Sequence, residues 1–237
     1  MEQPLTAVYD ANILYPAPIR DLFIRLAQAG LVRAKWTDTI HDEWMRNVLK
    51  DNPHLSAERL ARTRTLMDAA VRDCLITGHE ELIASLALPD PDDRHVLAAA
   101  IHAGADVIVT CNLADFPDGA LARFNIQAQH PDDFLVYLLD EAPGVAYAAV
   151  KQQRESLRNP PKTAEELLAT LESHGLIQAV VRSAGSSTYS ERRAPPLAIR
   201  PQCHAKVFPK FSPNRFAPSR IPETTVAASP LLAATSV

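Results

Sequence analysis

Apolar positions along this chain follow two periods. Leu5-Thr6-Ala7-Val8-Tyr9 and Val107-Ile108-Val109-Thr110 are short runs without polar alternation, the pattern of central parallel strands buried on both faces. Leu31 to Ala34 reads as a short extended stretch, and Asn125-Ile126-Gln127-Ala128 as a last edge strand. Between them the spacing turns helical. The spacing predicts a helix from Ile19 to Ala29, with Leu22, Phe23, Leu26 and Ala29 on one face and Gly30 as its stop. A second helix runs from about Thr39 to Leu49, capped by Thr37 or Asp38. The longest helical pattern covers 56 to 76, opening at Ser56, with Leu60, Leu66, Met67, Ala70 and Val71 packing and Cys74 in the core. Further helices are predicted from Pro91 to Ala103, closed by Gly104, and from Pro131 through Leu139; Glu80 to Leu88 fits a short helix or a strand. Strands alternating with helices imply an α/β domain, a central parallel sheet between two helical layers. Such sheets bind ligands beyond the carboxyl ends of their strands.

The carboxyl-terminal half loses the strand signal. Residues 145 to 159 and 163 to 174 form two helical patterns separated by Asn159-Pro160-Pro161. The second opens on a capping box, Thr163 to Glu166, with Leu167, Leu168 and Leu171 inside. This reads as a helical hairpin packed on the main domain. From Ala184 onward the chain holds eight of its 19 prolines, many serines and no sustained period, which predicts a disordered tail. The expected organisation is a core at 4–137, a helical extension at 138–183 and the tail at 184–237.

Composition narrows the class. At 237 residues, 47% hydrophobic and 22% charged, this is a globular protein able to bury a real core. Cys74, Cys111 and Cys203 are widely spaced and suggest neither a disulfide framework nor a zinc site, so a reducing cytoplasm is expected. No run of 18 apolar residues and no secretory pattern appear, and the expectation is a protein neither exported nor membrane-spanning. The tail carries seven Lys or Arg against Glu191 and Glu223, a charge of +5, so the remainder must carry −9 of the total −4. An acidic core binds nucleic acid poorly unless cations mediate at the site.

Chemistry concentrates where the topology sends acids to one sheet edge. Asp10 ends the first strand, Asn112 and Asp115 follow the Val107 strand, Glu43 lies on the second helix with Asn47 one turn on, and Asp90-Pro91-Asp92-Asp93 opens a helix at that edge. Acids in a first turn complement the helix dipole, and Asp90 and Asp92 fit that role as capping residues. Asp93 is the one expected to point into the cleft. Asp10, Glu43, Asp93 and Asp115 at close range repel one another. A divalent cation with oxygen ligands removes the conflict, and the absence of His or Cys ligand spacing favours Mg²⁺ or Mn²⁺ over zinc. His41, His95 and His102 read as surface or packing residues. Arg46 and Arg94 fit solvated helix faces within reach of a phosphate.

Val8-Tyr9-Asp10-Ala11-Asn12-Ile13-Leu14, Ile40-His41-Asp42-Glu43-Trp44, Asp93-Arg94-His95-Val96-Leu97-Ala98-Ala99-Ala100 and Val109-Thr110-Cys111-Asn112-Leu113-Ala114-Asp115-Phe116 resemble, in order and spacing, the motif series of PIN-domain metal-dependent ribonucleases. The helical addition resembles that of a subgroup of VapC-type toxins. The resemblance implies a three-layer α/β/α fold and an RNA phosphodiesterase using Mg²⁺ or Mn²⁺. By position, Asp10, Glu43, Asp93 and Asp115 would be catalytic, with Asp10, Asp93 and Asp115 on the metal. Asn12, Thr110 and Asn112 would support them, Asn112 standing where the family often has an acid. It also implies an RNA substrate, a cognate antitoxin and, as in many relatives, a homodimer. Other readings of the same residues are a housekeeping RNA-processing nuclease and a binding module that has lost turnover.

Overall fold

The computed structural model describes residues 3–187. The expected tail at 184–237 therefore lies almost wholly outside the described residues. In chain order the elements are β1 Leu5–Tyr9, α1 Ala11–Leu14, α2 Ala17–Gln28, β2 Val32–Lys35, α3 Asp38–Asp51, α4 Ala57–Ala70, α5 Glu80–Ile83, α6 Arg94–His102, β3 Val107–Val109, α7 Asp118–Leu121, β4 Gln127–Gln129, α8 Pro131–Glu141, α9 Pro143–Ser156, α10 Ala164–Ser173 and α11 Ile177–Ser187.

All four strands are parallel, in the order β2-β1-β3-β4, and helices flank the sheet. The two apolar runs take the centre, where both faces are covered: Ala7, Val8, Tyr9, Ile108 and Val109 are fully buried. Register pairs Ala7 with Val107, Val8 with Ile108 and Tyr9 with Val109, so the two strands end level. Tyr9 anchors an aromatic core, its ring edge-on to Phe23 at 5.4 Å and stacked with Trp36 at 6.4 Å. Phe23 also stacks with Phe134 of α8 at 6.3 Å, which ties the start of the C-terminal helices to the sheet domain. The expected boundary at 137/138 falls inside α8.

Local signals explain most helix ends. Thr37 caps α3 by accepting from Ile40 N at 3.1 Å, and Ser56 caps α4 by accepting from Arg59 N at 3.3 Å. The capping box at Thr163 and Glu166 forms with both of its bonds. Gly104 closes the α6 turn at φ +57, a left-handed conformation that glycine adopts without strain.

Two expectations need correction. The helix over 56–76 stops at Ala70. Val71 turns extended, Asp73 takes a positive φ, and Trp36 pairs with residues 74–76 beside β2, Trp36 N to Cys74 O and Ile76 N to Trp36 O both at 2.9 Å. Cys74 and Ile76 are buried while Leu75 is exposed, a period of two that the sequence hides because Met67, Val71 and Cys74 also fit helical spacing. Leu66 is 60% exposed instead of packing, since Leu60 and Met67 define the inward stripe of α4. Of the two forms that Glu80 to Leu88 fits, the structure has the helical one, the short helix α5 at its start.

The C-terminal part holds one helix more than the expected hairpin. α11 follows Gly175 and packs on α8, and the buried Asp132 carboxylate accepts from Gln178 N at 2.9 Å and Ala179 N at 3.0 Å. An acid at those free N–H groups satisfies donors that a helix start leaves unpaired. Among the described residues no helix is long and apolar enough to cross a membrane.

Candidate active site

From β1 the chain passes to β2 on one side, and β3 joins β1 on the other. Connections diverging this way open a crevice at the carboxyl ends of β1 and β3. The next residue on each strand is functional in type, Asp10 after Tyr9 and Thr110 after Val109. Level register makes them neighbours.

Asp10 is 4% exposed and every contact of its carboxylate is specific. Oδ1 accepts from Ala11 N at 2.6 Å, which also caps α1; Oδ2 accepts from Asn12 Nδ2 at 2.6 Å and from Thr110 Oγ1 at 2.7 Å. Thr110, fully buried, in turn accepts from Asn12 Nδ2 and from Asn112 N, both at 3.0 Å. Asn12 Oδ1 closes the network by accepting from Cys111 N at 3.0 Å. Asn12 and Thr110 thus both hydrogen-bond the Asp10 carboxylate. Asn112 contributes its backbone N–H, while its side chain makes no hydrogen bond among the described residues. Burial raises the Asp10 pKa above the usual carboxylate range, the Thr110 and Ala11 hydrogen bonds pull it back, and the Glu43 charge adds to the rise.

The other acids stand around this centre on separate elements. Asp93 ends the single 3-10 turn Pro91–Asp93 and does not cap α6 through its side chain; Asp90 does the capping, accepting from Asp92 N at 2.8 Å. The half-buried Asp93 carboxylate accepts no hydrogen bond among the described residues. Its pKa is pushed up to about 7, by burial first and then by the charges of Asp10, Asp115 and Asp90, against a lowering by His95. Asp115, in the 3-10 turn Leu113–Asp115 after β3, is within electrostatic reach of Asp93 and likewise carries no side-chain hydrogen bond. Glu43, on α3, is held by His95, whose Nε2 lies 3.0 Å from Glu43 Oε1.

The donor set is oxygen-rich, which suits a hard divalent cation such as Mg²⁺ or Mn²⁺. The mutual repulsion that lifts Asp93 is what such an ion would relieve. In kind and charge the residues therefore fit. They are gathered within electrostatic range: among the described residues no three His, Cys, Asp or Glu side chains converge as ligands of one ion.

Two histidines expected at the surface or in packing have specific partners. His95 is buried against Glu43. The signal was a single imidazole opening the apolar run Val96 to Ala100, which burial obliges to find a partner. His41 is fully buried behind Glu43 on α3, its Nε2 2.9 Å from Asp68 Oδ1 and its Nδ1 accepting from Trp44 Nε1 at 2.9 Å. Burial lowers its pKa. Arg94 spends Nε on the Pro91 carbonyl at 2.8 Å, and Arg46 is exposed.

Two stretches of the chain match known families in sequence. The family model for the PIN domain matches residues 6–114, and that for the VapC50 C-terminal domain matches residues 131–183. A curated protein of Mycobacterium tuberculosis (strain ATCC 25618 / H37Rv), described as "Putative ribonuclease VapC50", is 44% identical over 94 residues. The alignment covers 40% of this chain and 55% of that relative, so the match spans little more than half the relative's length. No solved structure matches the chain. The chain therefore carries, in order, a stretch matching the PIN domain at 6–114 and one matching the VapC50 C-terminal domain at 131–183, the arrangement of VapC-type PIN proteins with a C-terminal helical extension.

Proposed function

We propose that this protein is an endoribonuclease dependent on Mg²⁺ or Mn²⁺, and the toxin of a VapBC-type toxin–antitoxin pair. The observation that carries the reading is the buried Asp10 carboxylate, fixed by Thr110, Asn12 and the Ala11 N–H at the switch point of the sheet, with Glu43, Asp93 and Asp115 around it. The name of the VapC50 relative supports the same reaction class.

The cation, held by Asp10, Asp93 and Asp115, would polarise the phosphate and lower the pKa of an attacking water. Asp10 supplies a carboxylate whose orientation is set before substrate arrives. Among the described residues Asp93 and Asp115 have no side-chain hydrogen bonds to give up, which leaves their oxygens open to the ion. Glu43 keeps Oε2 without a hydrogen bond among the described residues, and that oxygen is the one open to orient the water. Thr110 and Asn12 prevent Asp10 from rotating away. The attacking oxygen comes from water, and no covalent enzyme intermediate forms.

A cognate antitoxin would cover the acidic crevice with a segment bearing a basic side chain, because an acid cluster of this density attracts a cation of either kind. Cys74 and Cys111 are free thiols, which supports a reducing, cytoplasmic setting. The test incubates the full chain with a labelled random-sequence RNA pool. Cleavage is expected in Mg²⁺ or Mn²⁺, absent in EDTA and absent for Asp10→Asn that keeps the wild-type fold. Intact RNA with the wild-type protein in both ions would overturn the proposal.

A further inference from the structure

The acids of the site are not held alike. Asp10 has three donors on its carboxylate, while Asp93 and Asp115 have none among the described residues. Glu43 has a single one among them, His95 Nε2 at 3.0 Å, reaching from α6 to α3 across 52 residues of sequence. A glutamate carries three side-chain torsions, so with no other partner its head is as free as that one bond allows. The Glu43 side chain is 24% exposed and that of His95 10%, so the bond is largely shielded from water.

His95 has an equally narrow set of partners. Its Nδ1 is buried with no hydrogen bond among the described residues, which leaves Glu43 as the only group its ring engages. A residue serving packing alone would be apolar here, like its neighbours Val96 and Leu97, because a buried imidazole costs free energy unless it is bonded. Both partners lie within electrostatic range of Asp10, which places the pair beside the other acids.

We infer that His95 is a positioning residue: Nε2–H donates to Glu43 Oε1, fixes the carboxylate of an otherwise untethered side chain, and leaves Oε2 for the water of the reaction. This rests on the proposed nuclease function. It acts on α3 from α6, so it also ties the helix that carries Glu43 to the helix that follows Asp93.

The experiment compares wild type, His95→Ala and His95→Gln as full chains. Cleavage of the random-sequence RNA pool gives kcat and KM, and Mn²⁺ alone is titrated by electron paramagnetic resonance. Outer partners of this kind are worth roughly tenfold to a hundredfold. His95→Ala should lose about that much in kcat with KM unchanged, and His95→Gln, whose amide can still donate, should recover most of it. Imidazole ¹H–¹⁵N spectra should show a protected Nε2–H in wild type that is lost in Glu43→Ala. Equal losses in the Ala and Gln variants, or wild-type kcat in His95→Ala, overturn the positioning role. If His95→Ala does not fold, His95→Gln decides: near-wild-type kcat supports the role and a full loss overturns it. A wild-type protein that neither binds Mn²⁺ nor cuts RNA sinks the nuclease reading and this inference together. An active wild type with no protected Nε2–H sinks the inference alone.

Discussion

Thr110 Oγ1 donates a hydrogen bond to Asp10 Oδ2 at 2.7 Å, joining residues 100 apart in sequence across the seam between β1 and β3. The bond follows from sheet register. Because Tyr9 pairs with Val109, the residue after each strand meets its counterpart, and both are buried. One hydroxyl thereby orients the central acid and, through the donors it accepts from Asn12 and Asn112, the loops on either side.

Thr110→Val keeps the shape of the side chain and removes the hydroxyl. It should cost about 1–3 kcal/mol in stability, since it leaves a buried carboxylate short of a donor and two N–H groups without an acceptor. Losing a hydrogen bond to the charged form raises the Asp10 pKa further, so the variant's activity should recover in part as pH increases. Thr110→Ser should behave like wild type. Urea melts and pH–rate profiles check both.

Asp93 should make the metal-free protein sensitive to pH in a definite direction. Its carboxyl titrates at about 7 in the folded chain against an ordinary 3.8, so between those values the folded state holds a proton that the unfolded state has released. Raising the pH through that window therefore favours unfolding. Relative to Asp93→Asn, wild type should lose stability from about pH 4 to about pH 7, with the difference level above it. Melting temperatures in EDTA across this range measure the effect. Parallel curves for the two proteins would contradict it.

Asp68 holds α4 to the base of the Glu43 helix. Its Oδ1 accepts from Trp36 Nε1 at 2.8 Å and from His41 Nε2 at 2.9 Å, and the Trp44 N–H on Nδ1 fixes which His41 nitrogen carries the proton. Asp68→Ala strands two donors, each worth about 1–3 kcal/mol when left unpaired. Water can reach the partly exposed Asp68 position, which puts the expected total near the low end, about 2 kcal/mol. Denaturant titration followed by tryptophan fluorescence reads it.

Asp132→Ala should release α11 without unfolding the sheet. The carboxylate accepts from Gln178 N and Ala179 N, and charge-assisted bonds of this kind are worth about 1.5–3 kcal/mol. Amide exchange at Gln178 and Ala179 should accelerate while that at Val8 and Ile108 stays slow. Equal acceleration in both regions would show that α11 and the sheet open as one unit.

Much of this fold was legible because its signals are local. The unalternating runs at Leu5–Tyr9 and Val107–Val109 fix the central strands, and Thr37, Ser56, Thr163 and Gly104 mark helix ends by their own chemistry. The meeting of Asp10 with Thr110 follows from two parallel strands ending level. The His95–Glu43 bond was not legible, because it depends on how α3 and α6 are rotated about their axes, which pattern does not state. Residues 71–76 deceived because Val71 and Cys74 continue the helical spacing of Met67 while Cys74 and Ile76 alternate, and only pairing with Trp36 decides between the two. α11 was missed because its start follows Gly175 with no capping side chain of its own; the cap comes from Asp132, 46 residues earlier in sequence.

The chemistry of the new RNA ends tests the central claim most directly. Cleavage by the full chain in Mn²⁺ and ¹⁸O-labelled water, followed by mass spectrometry, reports which oxygen attacked the phosphorus. The account predicts one ¹⁸O in a terminal phosphate of every first-turnover product, with both the label and the cleavage lost in Asp10→Asn. A 2′,3′-cyclic phosphate without label would show attack by the RNA's own hydroxyl and contradict it.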